Sequence, residues 1–200
     1  MKLGVLGGTF DPIHNGHLAV ADEVRSRLKL DEILFVPTGR PWLKAGKPLT
    51  RAEHRIEMVR LAIAGSPYCK LSTMEIDRGG PSYTIDTMAE LKKKRGDEDE
   101  LFFILGWDSL AELTEWREPE RIIRLCQLVA VPRPGYPQPD LNMLERSISG
   151  LSGRVVILDK PEVDISASDI RERVEQGESI SGLVPEAVER YIREKGLDRG

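Results

Sequence analysis

Apolar residues along the chain fall into two rhythms. Short continuous runs at Leu3–Leu6, Ile33-Leu34-Phe35-Val36, Cys69–Met74, Leu101–Leu105, Gln127–Val131 and Val155–Leu158 predict strands. Leu101-Phe102-Phe103-Ile104-Leu105 is the most continuously apolar of them, as a central parallel strand covered on both faces requires. Between the runs, apolar positions recur three and four apart. Leu18, Ala21, Val24 and Leu28 predict a helix over His17–Leu28, and Ile85, Met88 and Leu91 one over Thr84–Arg95. Thr50 followed by Glu53 reads as a capping box opening a helix with Ile56, Val59, Ala62 and Ile63 inward. Leu110–Leu125 reads as helix in two pieces broken by Pro119, Leu141–Ser149 as a short helix, and Glu75–Ser82 as a polar turn. Two helices, about Ala167–Gln176 and Pro185–Lys195, form a C-terminal helical portion from about 166. Strands alternating with helices predict a doubly wound α/β fold, its sheet mostly parallel with helices on both faces, in one domain over 1–200.

The first strand runs into Gly7-Gly8-Thr9-Phe10-Asp11-Pro12-Ile13-His14-Asn15-Gly16-His17. Strand, glycine turn and helix start together form the ordinary α/β site for phosphate: glycines admit an anion close to the backbone, and unpaired helix N–H groups face it. His14 and His17, two of only three histidines, lie three apart on one face of that helix start and can reach one ligand. Near the other end, Ile165-Ser166-Ala167-Ser168-Asp169-Ile170-Arg171 offers a helix cap at Ser166 or Ser168 and a guanidinium one turn in, either a second phosphate clamp or an ordinary capped helix. Gly106-Trp107-Asp108-Ser109 is a further strand-to-helix turn, and the loop after the second strand carries Lys44.

The 200 residues are 31% charged with a net charge of -4, which supplies no general field for nucleic acid or anionic membrane; any phosphate contact must be local. Two distant cysteines, Cys69 and Cys126, make neither a disulfide framework nor a zinc site and are expected reduced, in a cytoplasmic protein. No stretch approaches the ~20 apolar residues of a membrane span, and the N-terminus lacks a signal peptide's apolar region. The Lys92-Lys93-Lys94-Arg95 run is a solvated helix end, and His54 a surface or partly buried helix residue outside any constellation.

The eleven-residue string resembles the H-x-G-H signature of the nucleotidyltransferase superfamily, and Ile165–Arg171 its I-S-x-S-x-I-R signature. Gly80-Pro81-Ser82-Tyr83-Thr84-Ile85-Asp86-Thr87, Gly106-Trp107-Asp108-Ser109 with Leu113-Thr114-Glu115-Trp116, and Arg133-Pro134-Gly135-Tyr136 are similar to segments of the bacterial nicotinate mononucleotide adenylyltransferases, so the resemblance covers the whole chain. It implies adenylyl transfer from ATP to nicotinate mononucleotide, giving deamido-NAD and pyrophosphate, with Mg2+ bound through ATP phosphates. His14, His17 and Arg171 are then catalytic. Gly8, Thr9, Phe10, Gly106, Asp108 and Ser168, with Arg171, hold ATP: Asp108 accepts from its ribose, and Ser168 and Arg171 hold the β- and γ-phosphates. Tyr83 and Thr84 bind the pyridine carboxylate, Trp116 stacks on the ring, and Lys44 and Arg133 contact substrate. Taken alone, Trp116 reads as a half-buried packing residue, Lys44 as a solvated loop lysine, and Arg133 and Tyr136 equally as loop packing. The sequence departs from the commoner P-P-H-K pattern, reading Pro41-Trp42-Leu43-Lys44, so a histidine donor is replaced by an apolar side chain. Transfer to nicotinamide mononucleotide or phosphopantetheine, and a non-catalytic nucleotide-binding module, are the competing functions; tRNA aminoacylation would need an anticodon-reading domain this chain lacks. Homo-oligomerisation is left open.

Overall fold

Each strand alternates its side chains between two apolar layers, and this alternation sorts the helices. The computed structural model describes residues 1–41 and 49–197. Six strands, β1 (Lys2–Gly8), β2 (Glu32–Pro37), β4 (Cys69–Leu71), β6 (Glu100–Gly106), β7 (Gln127–Val131) and β8 (Val155–Ile157), form one sheet in the order β4-β2-β1-β6-β7-β8. Every neighbouring pair is parallel. A second, two-stranded ribbon pairs β3 (Arg40–Pro41) with β5 (Pro81–Ser82).

On one face Leu6, Ile33, Phe35, Phe102, Ile104 and Val129 pack against α1 (Asn15–Leu28), α2 (Ala52–Ile63), α8 (Ala167–Glu175) and α9 (Glu186–Lys195). On the other, Leu3, Val5, Leu34, Val36, Phe103 and Leu128 meet α3 (Met74–Arg78), α4 (Thr84–Arg95), α5 (Trp107–Ala111), α6 (Pro119–Leu125) and α7 (Leu141–Ser147). Covering on both sides is why these strands read as continuous apolar runs rather than alternating ones. From β1 the chain winds outward through β2 and β4, then crosses back to β6 and winds the other way. The crevice between the carboxyl ends of β1 and β6 is therefore the topological switch point, where open α/β sheets bind ligands.

Four local expectations are corrected. Met74–Arg78 is a helix, not the end of a strand and a turn. Pro119 opens α6 at its first turn, where the missing N–H costs nothing, and the break before it is a 3-10 turn at Leu113–Glu115. Thr50 does not cap α2: Arg51 holds the cap position without a side-chain bond, and the Thr50 backbone N–H goes instead to Asp11. The inward face of α2 is Arg55, Met58, Val59 and Ile63, with Ile56 and Ala62 only half-buried.

Candidate active site at the switch point

Beyond Gly8 the chain turns through Thr9–Ile13 before α1 begins at Asn15. Phe10 adopts φ +49, a left-handed conformation unusual for a bulky side chain, and its ring is 1% exposed, packed against Phe35 and edge-on to His17 at 5.0 Å. Packing thus holds a backbone shape the isolated segment would avoid. His14 caps the helix in an extended conformation, and its N–H donates to Nδ1 of His17 at 3.1 Å. A lone pair on Nδ1 makes Nε2 the donor of the neutral His17 ring. The two imidazoles stack with centroids 3.7 Å apart. A Cβ at Gly16 would come within 2.9 Å of the His14 ring and 3.1 Å of Val163, so a larger residue there would have to displace the buried ring. Burial, and then the charge of Arg133, push the His14 pKa down to about 4, so this ring is neutral near pH 7.

The C-terminal signature arrives at the same place. Ser166 caps α8 by accepting from the Asp169 N–H at 3.2 Å, which decides between the two candidate serines. Ile170 is fully buried in the layer that holds Phe10 and Ile13. That anchoring turns Arg171 toward the opposite end of the chain: Nη1 donates to the Asp11 carbonyl at 2.6 Å and Nη2 to Ser168 Oγ at 3.3 Å. A second tie runs from the start of α1, where the Asn15 backbone N–H and side-chain amide donate to the carbonyls of Leu183 and Gly182.

At the end of β6, Asp108 folds back over Gly106; a Cβ on Gly106 would run into its carboxylate. The Arg133 side chain, which follows β7, passes the same glycine and reaches His14 electrostatically. Gly106, Asp108, Arg133 and His14 are thereby grouped around the switch point.

Tyr83 and Thr84 open α4 from a built foundation. Thr87 donates to Glu75 Oε1 at 2.7 Å and accepts from Arg78 at 2.9 Å, while Ser82 Oγ accepts from the Gly39 N–H at 3.1 Å. Burial raises the pKa of Glu75, opposed by hydrogen bonds from Thr87 and Ser82 and by the Arg78 charge. Arg117 lies over the Tyr83 ring at 4.9 Å. Trp116 is half-buried and meets Phe103 edge-on at 6.0 Å, with Nε1 buried and no hydrogen-bond partner. Phe103 in turn lies 3.8 Å from where a Cβ on Gly7 would stand, so Trp116 is one side chain removed from the phosphate-type turn. Lys44 lies outside the described residues.

Sequence reasoning missed Arg55. It is 2% exposed, and its guanidinium donates to the carbonyls of Thr9, Thr38 and Thr50. The signal was present: positions 55, 58, 59 and 63 share one helical stripe, and a single arginine interrupts its apolar residues.

A parallel sheet with paired imidazoles, a guanidinium and helix starts at its switch point defines an α/β protein of the kind that binds phosphorylated ligands. Residues 5–173 match the family model described as cytidylyltransferase-like, and the chain belongs to that family. It is 53% identical over 197 residues to a protein of Dehalococcoides mccartyi named probable nicotinate-nucleotide adenylyltransferase, covering 98% of this chain and 97% of that one. A protein of the same name from Roseiflexus is 48% identical, covering 98% of both. Within the family, the chain belongs with these nicotinate-nucleotide adenylyltransferases. The same fold recurs in the Plasmodium falciparum nicotinic acid mononucleotide adenylyltransferase complexed with NaAD, at a TM-score of 0.80 and 21% identity over 98% of this chain and 97% of that one.

Proposed function

We propose that this chain transfers the adenylyl group of ATP to nicotinate mononucleotide, giving deamido-NAD and pyrophosphate for NAD biosynthesis. The observation that supports the reading is the Arg171 to Asp11 bond at 2.6 Å, which ties the start of α8 to the turn that leads into the paired histidines. A triphosphate spanning that gap meets donors along its length. A phosphate oxygen of the mononucleotide attacks the α-phosphorus; the new P–O bond forms as the bond to the bridging oxygen of the β-phosphate breaks, and pyrophosphate leaves with that electron pair. The nucleophile is already ionised near pH 7, so no base has to create it. What the protein supplies is alignment and donors where charge builds.

His17, with Nε2 as its donor, and His14 serve the α-phosphate and the departing oxygen. Gly8, Thr9 and Phe10 shape the approach. Ser168 and Arg171 hold the β- and γ-phosphates, and Asp108 accepts from the ATP ribose. Tyr83 and Thr84 present donors to the pyridine carboxylate at the start of α4, Trp116 stacks on the ring, and Lys44 and Arg133 serve substrate phosphate. Among the described residues no group of three or more His, Cys, Asp or Glu is placed to hold a metal ion. We assign Mg2+ to the substrate, carried on ATP phosphates as in other nucleoside triphosphate chemistry. Among those residues no helix is long and apolar enough to cross a membrane; the compartment we propose is the cytoplasm, where the two free cysteines, Cys69 and Cys126, stay reduced.

The test is pyrophosphate release with Mg–ATP and, separately, nicotinate mononucleotide, nicotinamide mononucleotide and phosphopantetheine. Release is expected with the nicotinate acceptor and much less with the others. No release with any acceptor would return the chain to a nucleotide-binding role, and preference for another acceptor would reassign the substrate.

A further inference from the structure

We infer that Arg55, buried beneath the phosphate turn and remote from the reacting groups in sequence, is a positioning residue for the triphosphate, fixing the direction of the backbone that binds it. The inference rests on ATP being the substrate held at this turn. A turn that binds a polyanion must present N–H groups and turn its carbonyls elsewhere, because a carbonyl oxygen facing phosphate repels it. Here two arginines take those carbonyls. Arg171 holds the Asp11 carbonyl from one side, and Arg55 Nη1 holds that of Thr9 at 2.8 Å from the other. Phe10, the residue with φ +49, lies between the two held carbonyls.

Arg55 reaches further than the turn. The same Nη1 holds the Thr38 carbonyl at 2.8 Å, and Nε holds that of Thr50 at 3.0 Å, so one guanidinium joins the segments leaving β1, leaving β2 and entering α2. Asp11 closes the arrangement: it is 2% exposed, its charge opposes that of Arg55, and its Oδ2 accepts from the Thr50 N–H at 3.0 Å. A lysine cannot reproduce this, since a single ammonium at the end of a flexible stem lacks the planar fork that spans three carbonyls.

The experiment compares Arg55→Lys and Asp11→Asn with the wild-type enzyme, measuring kcat, KM for each substrate, calorimetric affinity for a non-hydrolysable ATP analogue, and melting temperature. Arg55→Lys is expected to weaken analogue binding and lower kcat each about tenfold or more, while KM for nicotinate mononucleotide stays within about twofold; Asp11→Asn should move the same quantities in the same direction by less. A role confined to folding would instead lower the melting temperature and the active fraction with unchanged KM and affinity in the folded enzyme, and that result in both variants overturns the inference. Should Arg55→Lys not fold, the outcome for Asp11→Asn decides. Wild-type enzyme inactive with ATP refutes the proposed reaction, whereas active wild type with unaltered variants refutes only the role of Arg55.

Discussion

Burial and the neighbouring Arg133 keep the His14 imidazole neutral down to about pH 4, far below the 6.5 of a free histidine. The folded state therefore binds fewer protons at this site than the unfolded chain. Its contribution to stability is complete above pH 6.5 and is lost as pH falls from there through 4, a total of about 3 kcal/mol. Glu75 has the opposite sign, since its pKa is raised and its cost to the fold is relieved as pH falls through that value. The two are separated by subtraction: the stability difference between wild type and His14→Asn, from urea melts, should shrink by about 3 kcal/mol between pH 6.5 and 4. A pH-independent difference would mean the ring is not held neutral. At this scale the sequence announced the paired imidazoles, because histidines three apart are rare in a chain with three. It was silent about Arg55, because an arginine in a helix ordinarily belongs to the wet face, and only the register of its apolar neighbours betrays burial.

The junction of α3, β5 and α4 is where local pattern and structure diverge most. Thr87 is 1% exposed and joins Glu75 to Arg78, tying α3 to the first turn of α4 just below Tyr83 and Thr84. Thr87→Val keeps the shape and removes the hydroxyl, leaving two charged groups short of a partner at a cost of about 1–3 kcal/mol. A fall in melting temperature should accompany a several-fold rise in KM for nicotinate mononucleotide with KM for ATP unchanged; an unaltered mononucleotide KM would detach this network from the proposed pyridine site. Elements with a long period were legible. The helix over Thr84–Arg95 and the strand Gln127–Val131 stand where the sequence places them. The ribbon of β3 and β5 was not, since each strand is two residues long with a proline, and α3 has five residues, too few to display a helical rhythm. The lost capping box at Thr50 has a tertiary cause: its N–H and carbonyl are engaged by Asp11 and Arg55.

For the molecule as a whole, the ends of the site come from the two ends of the fold. Arg171 and Asp11 are 160 positions apart, joined through one guanidinium and the buried Ile170 beside it. Arg171→Ala should therefore remove most of the thermal stabilisation that ATP gives, which for wild type at a hundred times its dissociation constant is about 2.7 kcal/mol, with a smaller loss in the ligand-free protein. Equal stabilisation in the variant would show that α8 does not take part in holding the nucleotide. The strand order carries one more implication, for the chain during its synthesis. β1 lies in the middle of the sheet but is made first, and its second neighbour, β6, does not begin until residue 100. Until then one edge of the earliest strand has no sheet partner, a surface on which growing chains can pair wrongly. The guanidinium of α8 leaves the ribosome later still, so a nascent polypeptide can complete its six-stranded scaffold before it acquires the arginine proposed to grip ATP.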